Sequence, residues 1–230
     1  MKKKSRKGRI VLSARRRRVS YFLKCVTVVS AAVGVILSVM GSRREFMYFT
    51  TQSNIAIGLI CLIGGLLMAV GRKPGNGWYT VKFMGTVSIT LTGAMFCFVL
   101  APTMGWYAWN AQNILTHMIV PVAAIADFFV TGVCSSLKRR VSLFGTLPPL
   151  AYAAYAGIGY AAGWEFSKGV RYPYFFLNWG SPAGAFGFMR GLPFLGCAWW
   201  IIGLFLLVYL LGLVYLAVLN GMKKHAARRL

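Results

Sequence analysis

The sequence predicts an all-α membrane protein, a polytopic bundle of six transmembrane helices. The 230-residue chain is 58% hydrophobic and 13% charged, with a mean hydropathy of +0.64, which is too apolar for a water-soluble domain of this length. Six stretches contain the roughly 20 mainly apolar residues that a helix needs to cross a hydrocarbon core. The Lys and Arg residues form short clusters that border these stretches.

The predicted spans cover residues 22–40, 51–70, 83–100, 114–133, 144–162 and 200–219. The fifth contains two prolines, but its small residues recur at about four-residue spacing, which predicts close packing against neighbours. We expect a basic cytoplasmic tail over 1–18, disordered or laid on anionic headgroups, and a basic C-terminus over 223–230. Between them, the six-helix domain (19–222) contains an outer loop at 164–191 that could cap the bundle.

The distribution of positive charge predicts an orientation. Of the 26 Lys and Arg residues, 21 lie on the side of the N-terminus and five on the other side. This bias predicts that both termini are cytoplasmic in a multi-pass protein of the cell membrane. With only three acidic residues the net charge is +23, yet clusters that border apolar runs favour anionic lipid headgroups at the cytoplasmic face as partners and exclude nucleic acid.

Polar side chains open the second and fourth helices. Both helices run from outside to inside in the predicted orientation, so both openings lie just below the outer surface. We therefore expect them to meet across a shared, shallow cavity. The residues concerned are Thr50, Thr51, Gln52, Ser53 and Asn54 in the second helix, and Asn113, Thr116 and His117 in the fourth.

These residue types allow a structural or a catalytic role. Asn113 and His117 are four residues apart and share a helix face, as do Thr50 and Asn54. A neutral His117 could hydrogen-bond across helices, as polar residues do in membranes, and a helical Thr hydroxyl usually bonds its own backbone. The alternative is that His117 is a general base, since its ordinary pKa suits proton transfer near neutral pH.

Asp127 lies about 15 Å deeper along the fourth helix than His117, at a rise of ~1.5 Å per residue. It therefore needs another partner, either Lys24 or a hydroxyl group of a neighbouring helix. An ionisable residue at this depth is a functional candidate, and the alternative is a carboxyl group that locks two helices together. We expect no metal, because the only two histidines, His117 and His225, lie on opposite membrane faces, and no cofactor.

Three segments of the sequence carry a family resemblance: YFTTQSNIAIGL, NILTHMIVPVAAIAD and RYPYFFLNWG. They resemble the androgen-induced-gene-like family of six-helix membrane proteins, in its bacterial branch, which would place the chain in a bacterial plasma membrane. Eukaryotic members of that family are intramembrane threonine hydrolases that cleave fatty acid esters of hydroxy fatty acids.

The resemblance implies site residues. The family histidine corresponds to His117, and its threonine to Thr51 by alignment on Asn54 or to Thr50 by alignment on the preceding aromatic residue and threonine. We slightly prefer Thr50. In this hypothesis the imidazole takes a proton from the threonine, which attacks a lipid ester, while amides orient the imidazole or donate to the oxyanion. The candidate amides are those of Gln52, Asn54 and Asn113.

A non-enzymatic function is the alternative. The same polar cluster could bind a lipid or a small molecule in a binding protein or a transporter. An acidic residue at mid-depth, Asp127, favours this alternative. The sequence lacks the matching pair of Gly- or Pro-broken helices that is typical of secondary transporters, which counts against transport.

Overall fold

The computed structural model of the protein describes residues 12–72 and 74–227. Within these ranges there is no β-strand, and six helices are long and apolar enough to cross a membrane. The prediction of an all-α, six-helix bundle is therefore confirmed, and the chain is an integral, multi-pass membrane protein. The helices are α1 (Ala14–Gly41), α2 (Phe49–Ala69), α3 (Asn76–Ala108), α4 (Ala111–Gly132), α5 (Val141–Ala161) and α6 (Cys197–Ala227).

The helices extend beyond the apolar stretches that predicted them. Helix α1 begins at Ala14, where the Ser13 hydroxyl accepts a hydrogen bond from the Arg16 amide at 3.4 Å, so residues 14–18 of the expected tail are helical. A hydroxyl at this position satisfies an amide that has no partner inside the helix. Helix α6 likewise continues through most of the expected C-terminal tail. Residues 1–11 and 228–230 of the two tails lie outside the described residues.

An even number of crossings places both ends of the described chain at one end of the bundle, here called the termini end. The other end, here called the loop end, carries the long loop of residues 162–196. Helix α3 is the most deeply buried span. It packs against α2 and α4 on one side and meets α5 and α6 on the other. Helix α5 packs against α6 over its first residues, Val141–Gly145, and contacts it only sparsely from Leu147 onward.

The long loop packs onto the loop end of the bundle. Its side chains Phe166, Phe176 and Leu177 are buried in the main hydrophobic core. Two small residues of α5, Gly157 and Gly159, lie against tryptophan rings of the loop, where an added Cβ atom would come within 3.2 and 2.6 Å of the nearest ring atoms. The close packing predicted for α5 therefore occurs against the loop.

Helices α3 and α4 each contain one π-helical turn, at Phe96–Leu100 and Leu115–Ile119. A π turn inserts a residue into a helix and disturbs the regular backbone hydrogen bonding, frequently at functional sites. The two turns are neighbours: the rings of Phe96 and His117 stack with 3.9 Å between their centroids. Gly93 allows this approach, because a Cβ atom there would lie 2.8 Å from the carbonyl oxygen of His117.

Candidate functional site

A buried ionic cluster joins three helices in the half of the bundle nearer the termini. Asp127 of α4 is completely buried. The Nζ of Lys24 in α1 donates to both of its carboxylate oxygens at 2.7 Å, and the Nζ of Lys82 in α3 donates to one of them. Ser20 also donates to the carboxylate. The Nζ of Lys24 also donates to the Ser20 hydroxyl. The Nζ of Lys82 also donates to the Thr131 hydroxyl and to the Asp127 carbonyl, so each ammonium group has three acceptors.

The cluster contains both kinds of partner predicted for Asp127 and adds a second lysine. Lys24 and a hydroxyl of α1 both bind Asp127, as the sequence suggested. Lys82 was missed, because it was counted with the positive residues that flank the spans. Both lysines are less than 6% exposed, so they do not flank the membrane. Without them, the 21 Lys and Arg residues that the sequence assigns to the side of the N-terminus fall to 19, against five assigned to the other side.

At the loop end, the backbone fixes the ring of His117. Its Nδ1 lies 3.1 Å from the carbonyl oxygen of Asn113 and 3.0 Å from the Thr116 hydroxyl. A carbonyl can only accept, so Nδ1 carries the proton and Nε2 is the basic nitrogen. The ring stacks on Phe96, and the side chain of His117 is largely buried.

Asn54 links the two polar openings. Its Nδ2 donates to the carbonyl oxygen of Thr50 at 2.8 Å and to that of Thr116 at 3.2 Å, so one amide binds α2 to the π turn of α4. Its Oδ1 is buried and has no hydrogen-bond partner. Leaving a buried polar atom unsatisfied costs about 1–3 kcal/mol, which offsets part of the stability that the two Nδ2 hydrogen bonds provide and leaves one acceptor available.

The other two candidate amides also bind backbone carbonyls. Nε2 of Gln52 donates to Phe46 at 3.1 Å and Nδ2 of Asn113 donates to Ala108 at 2.9 Å. These amides hold chain turns at the loop end together. A role in orienting His117 through the side-chain amides, or in stabilising an oxyanion, would require them to release these carbonyls.

The two candidate threonines have different surroundings. Thr51 is 2% exposed, whereas Thr50 is partly exposed. The hydroxyl groups of Thr50 and Tyr174 lie 3.3 Å apart, and the Thr50 amide donates to the same tyrosine oxygen at 3.3 Å. Burial raises the pKa of Tyr174 to about 12, so this phenol keeps its proton at neutral pH. Sequence reasoning did not select Tyr174, although it lies in the third segment of the family resemblance.

The structure brings the two polar openings to the same depth but does not join His117 to either threonine. Among the described residues, no hydrogen bond links the imidazole to Thr50 or Thr51. The imidazole binds Asn113 and Phe96, while Thr50 binds the long loop. Within the same part of the chain, no group of three or more His, Cys, Asp or Glu residues could hold a metal ion.

Thr50 lies on the wall of a cavity at the loop end. The cavity measures about 60 Å³ and is lined mostly by apolar side chains of α2, α3, α5, α6 and the long loop. Four hydroxyl-bearing residues also line it: Thr50, Thr92, Tyr152 and Tyr174. Residues of α5 and α6, among them Leu150, Ala153 and Leu204, form another part of the wall, where the two helices contact each other only sparsely. We refer to it as the loop-end cavity.

Comparisons with protein-family models, with curated proteins and with solved structures find no match to this chain. The class of protein that the fold and these sites define is a six-helix integral membrane protein with an internal ionic cluster and an apolar cavity bordered by hydroxyl groups.

We expect Asp127→Asn to lower the free energy of unfolding by about 3–5 kcal/mol, because it leaves two buried ammonium groups without a counter-charge. The measurement is reversible unfolding of the purified protein in detergent. Ser88→Ala is the matched control, since the Ser88 hydroxyl is also buried in the bundle but has no hydrogen-bond partner; its loss should change stability by less than about 1 kcal/mol. Equal effects of the two changes would show that the ionic cluster does not stabilise the bundle.

Proposed function

We propose that the protein binds a membrane lipid in the loop-end cavity, with an acyl chain between α5 and α6 and the ester oxygens beside Thr50 and Tyr174. The proposal rests on one observation: the apolar loop-end cavity is bordered by hydroxyl groups at the first turn of α2, which crosses the membrane. The ester groups of a lipid lie near the headgroup boundary while its tails lie deeper, which matches this order of polar and apolar walls.

The apolar wall supplies the driving force for binding. Leu150 and Ala153 of α5 face Leu204 and Phe205 of α6 across the cavity. A chain that enters the cavity from the bilayer gains packing contacts with these side chains, as helices do in lipid. The cavity therefore favours a slender apolar chain over a polar solute.

The hydroxyl groups supply orientation. Because Tyr174 stays protonated at neutral pH, it can donate to an ester carbonyl oxygen. Thr50 lies 3.3 Å from that phenol and would contact the same ester. A few well-placed polar groups in an apolar pocket are the usual way in which a binding site fixes a ligand's direction.

Hydrolysis of the bound ester is the second candidate function. It is favoured by the Thr50 hydroxyl on the cavity wall and by the open, basic Nε2 of His117, together with the family resemblance to threonine hydrolases. In this reaction Nε2 takes the Thr50 proton, the alkoxide attacks the ester carbonyl, and the alcohol leaves with that proton. Water then cleaves the acyl-threonine and restores the hydroxyl group.

Catalysis requires a rearrangement of the site. His117 would have to come within hydrogen-bond reach of Thr50, which in the ligand-free protein contacts Tyr174. Catalytic hydrogen bonds are often long before a substrate binds and tighten in the complex. Tyr174 would then be the donor to the oxyanion, since the amides of Gln52, Asn54 and Asn113 are bound to backbone carbonyls.

The proposal includes the orientation of the bundle in the membrane. The termini end would face the cytoplasm of a bacterial cell and its anionic headgroups, because the sequence assigns 19 flanking Lys and Arg residues to that side against five on the other. The loop-end cavity would then take its lipid from the outer half of the membrane.

Filling the cavity should abolish lipid binding. We expect Ala153→Phe to lower retention of a phospholipid by at least about tenfold, a loss of ~1.4 kcal/mol, because the ring occupies the space of the acyl chain. The matched control is Ala151→Phe on the exposed face of the same helix, which should retain the lipid. Native mass spectrometry of the two variants, with melting temperatures measured in parallel, gives the comparison. Equal retention would refute binding in this cavity.

Hydrolysis has its own test. Turnover of a lipid ester should fall at least about a hundredfold in Thr50→Val and in His117→Ala, as expected when a nucleophile or its base is lost. Thr51→Val is the matched control, since Thr51 lies next in sequence but is buried, and it should keep activity. Labelling by a fluorophosphonate probe reports the nucleophile directly. Turnover that survives both changes, or that depends on Thr51 instead, would exclude this pair.

A further inference from the structure

A second cavity opens at the termini end, on the other side of the ionic cluster from the loop end. It measures about 240 Å³ and lies among the start of α1, the end of α2, the connection to α3 and the ends of α3 and α4 nearest the termini. It is four times the volume of the loop-end cavity. We refer to it as the termini-end cavity.

Four positive side chains line this cavity: Arg17, Lys24, Arg72 and Lys82. The two lysines form its inner wall and are buried in the ionic cluster. The two arginines lie nearer its mouth and are exposed. One guanidinium nitrogen of Arg17 donates to the carbonyl oxygen of Met68 at 2.8 Å, which holds the charge at the C-terminal end of α2.

The protein does not neutralise this charge itself. Asp127 balances one of the two buried lysines, and no acidic side chain lines the cavity. The sequence contains only two other acidic residues, Glu45 and Glu165, and both lie at the loop end, where Glu45 accepts from Ser38 and Glu165 pairs with Arg44. Among the residues that the structure describes, no further acidic side chain neutralises this charge, which leaves it available to an external anion.

The rest of the cavity wall is apolar. Ile60, Met68, Trp78 and Leu12 line it beside the cations. Gly64 of α2 makes part of the space, since a Cβ atom there would lie 3.2 Å from Cε of Lys24 and 3.5 Å from the Trp78 ring. A free inorganic anion would leave these apolar surfaces unused, whereas an amphiphile would contact both walls.

We infer that the termini-end cavity binds an anionic amphiphile, with its phosphate group between Arg17 and Arg72 and its chain along the apolar wall. Arginine suits this role because its planar guanidinium group binds phosphate oxygens in pairs. The positive charge that remains on the ionic cluster adds long-range attraction in a poorly screened environment. This inference does not depend on the loop-end cavity.

The test compares the binding of three probes to the full-length protein by native mass spectrometry. The probes are phosphatidylglycerol, phosphatidylcholine and inorganic phosphate. The variant Arg17→Gln/Arg72→Gln removes both arginines, and the control Arg43→Gln/Arg190→Gln removes the same charge at the loop end, from residues that are also exposed. Because a basic residue near an anionic headgroup contributes about fivefold, we expect the first pair to weaken phosphatidylglycerol binding about thirtyfold and the control to leave it unchanged.

Each outcome decides the inference. Preference for phosphatidylglycerol over phosphatidylcholine that disappears only in Arg17→Gln/Arg72→Gln supports it. Equal loss in both double variants would show that net charge alone attracts the lipid and would overturn it. Displacement of the lipid by inorganic phosphate at tens of millimolar would also overturn it, since a free anion would then be the ligand.

A change in the shape of the termini-end cavity tests the inference independently of its charge. Gly64→Leu fills the apolar part of the cavity without altering any charge and should weaken phosphatidylglycerol binding about tenfold. Gly203→Leu on α6 is the matched control, since a Cβ atom there meets nothing within 4 Å. Unchanged binding in Gly64→Leu, with both variants folded by their melting temperatures, would contradict a chain site along this wall.

Discussion

The bundle is organised around one carboxylate. Asp127 has no access to solvent, and a lone charge in such an environment costs several kcal/mol. It is accommodated because α1 supplies Lys24 and α3 supplies Lys82, so the three helices have to meet at one place and in one register. The attraction between them cannot come from the hydrophobic effect alone, since lipid tails are as apolar as the helix surfaces.

The two cavities differ in their relation to the ionic cluster. Towards the loop end, the Asn54 amide binds α2 to the π turn of α4 through backbone carbonyls. The loop-end cavity is lined by apolar side chains and hydroxyl groups. Towards the termini end, the two lysines of the cluster line the termini-end cavity, and Asp127 neutralises only one of their two positive charges. One cavity therefore favours an uncharged ester and the other an anion. The buried lysines line the termini-end cavity alone, whereas hydroxyl groups such as those of Thr50 and Tyr174 line the loop-end cavity.

The sequence predicted the six spans because hydropathy measures the same burial in lipid that the helices satisfy. It did not predict where the helices end, since hydropathy does not detect polar turns, such as residues 14–18, that continue a helix. Lys82 was misassigned because a lysine six residues into a helix resembles a flanking charge. The position of Tyr174 depends on a loop that folds back over the first turn of α2. Its contact with Thr50 spans more than 100 residues, and no periodic pattern encodes it.

The most direct test of the ionic constraint is a double-mutant cycle on its second partner. Lys82→Met, Asp127→Asn and the double variant are unfolded reversibly in detergent, and the coupling free energy is obtained from the three differences. If the two groups stabilise each other inside the bundle, the coupling lies between about 1 and 3 kcal/mol, and the double variant is more stable than the sum of single losses predicts. Effects that add to within about 0.5 kcal/mol would contradict the account, because independent sites behave in that way.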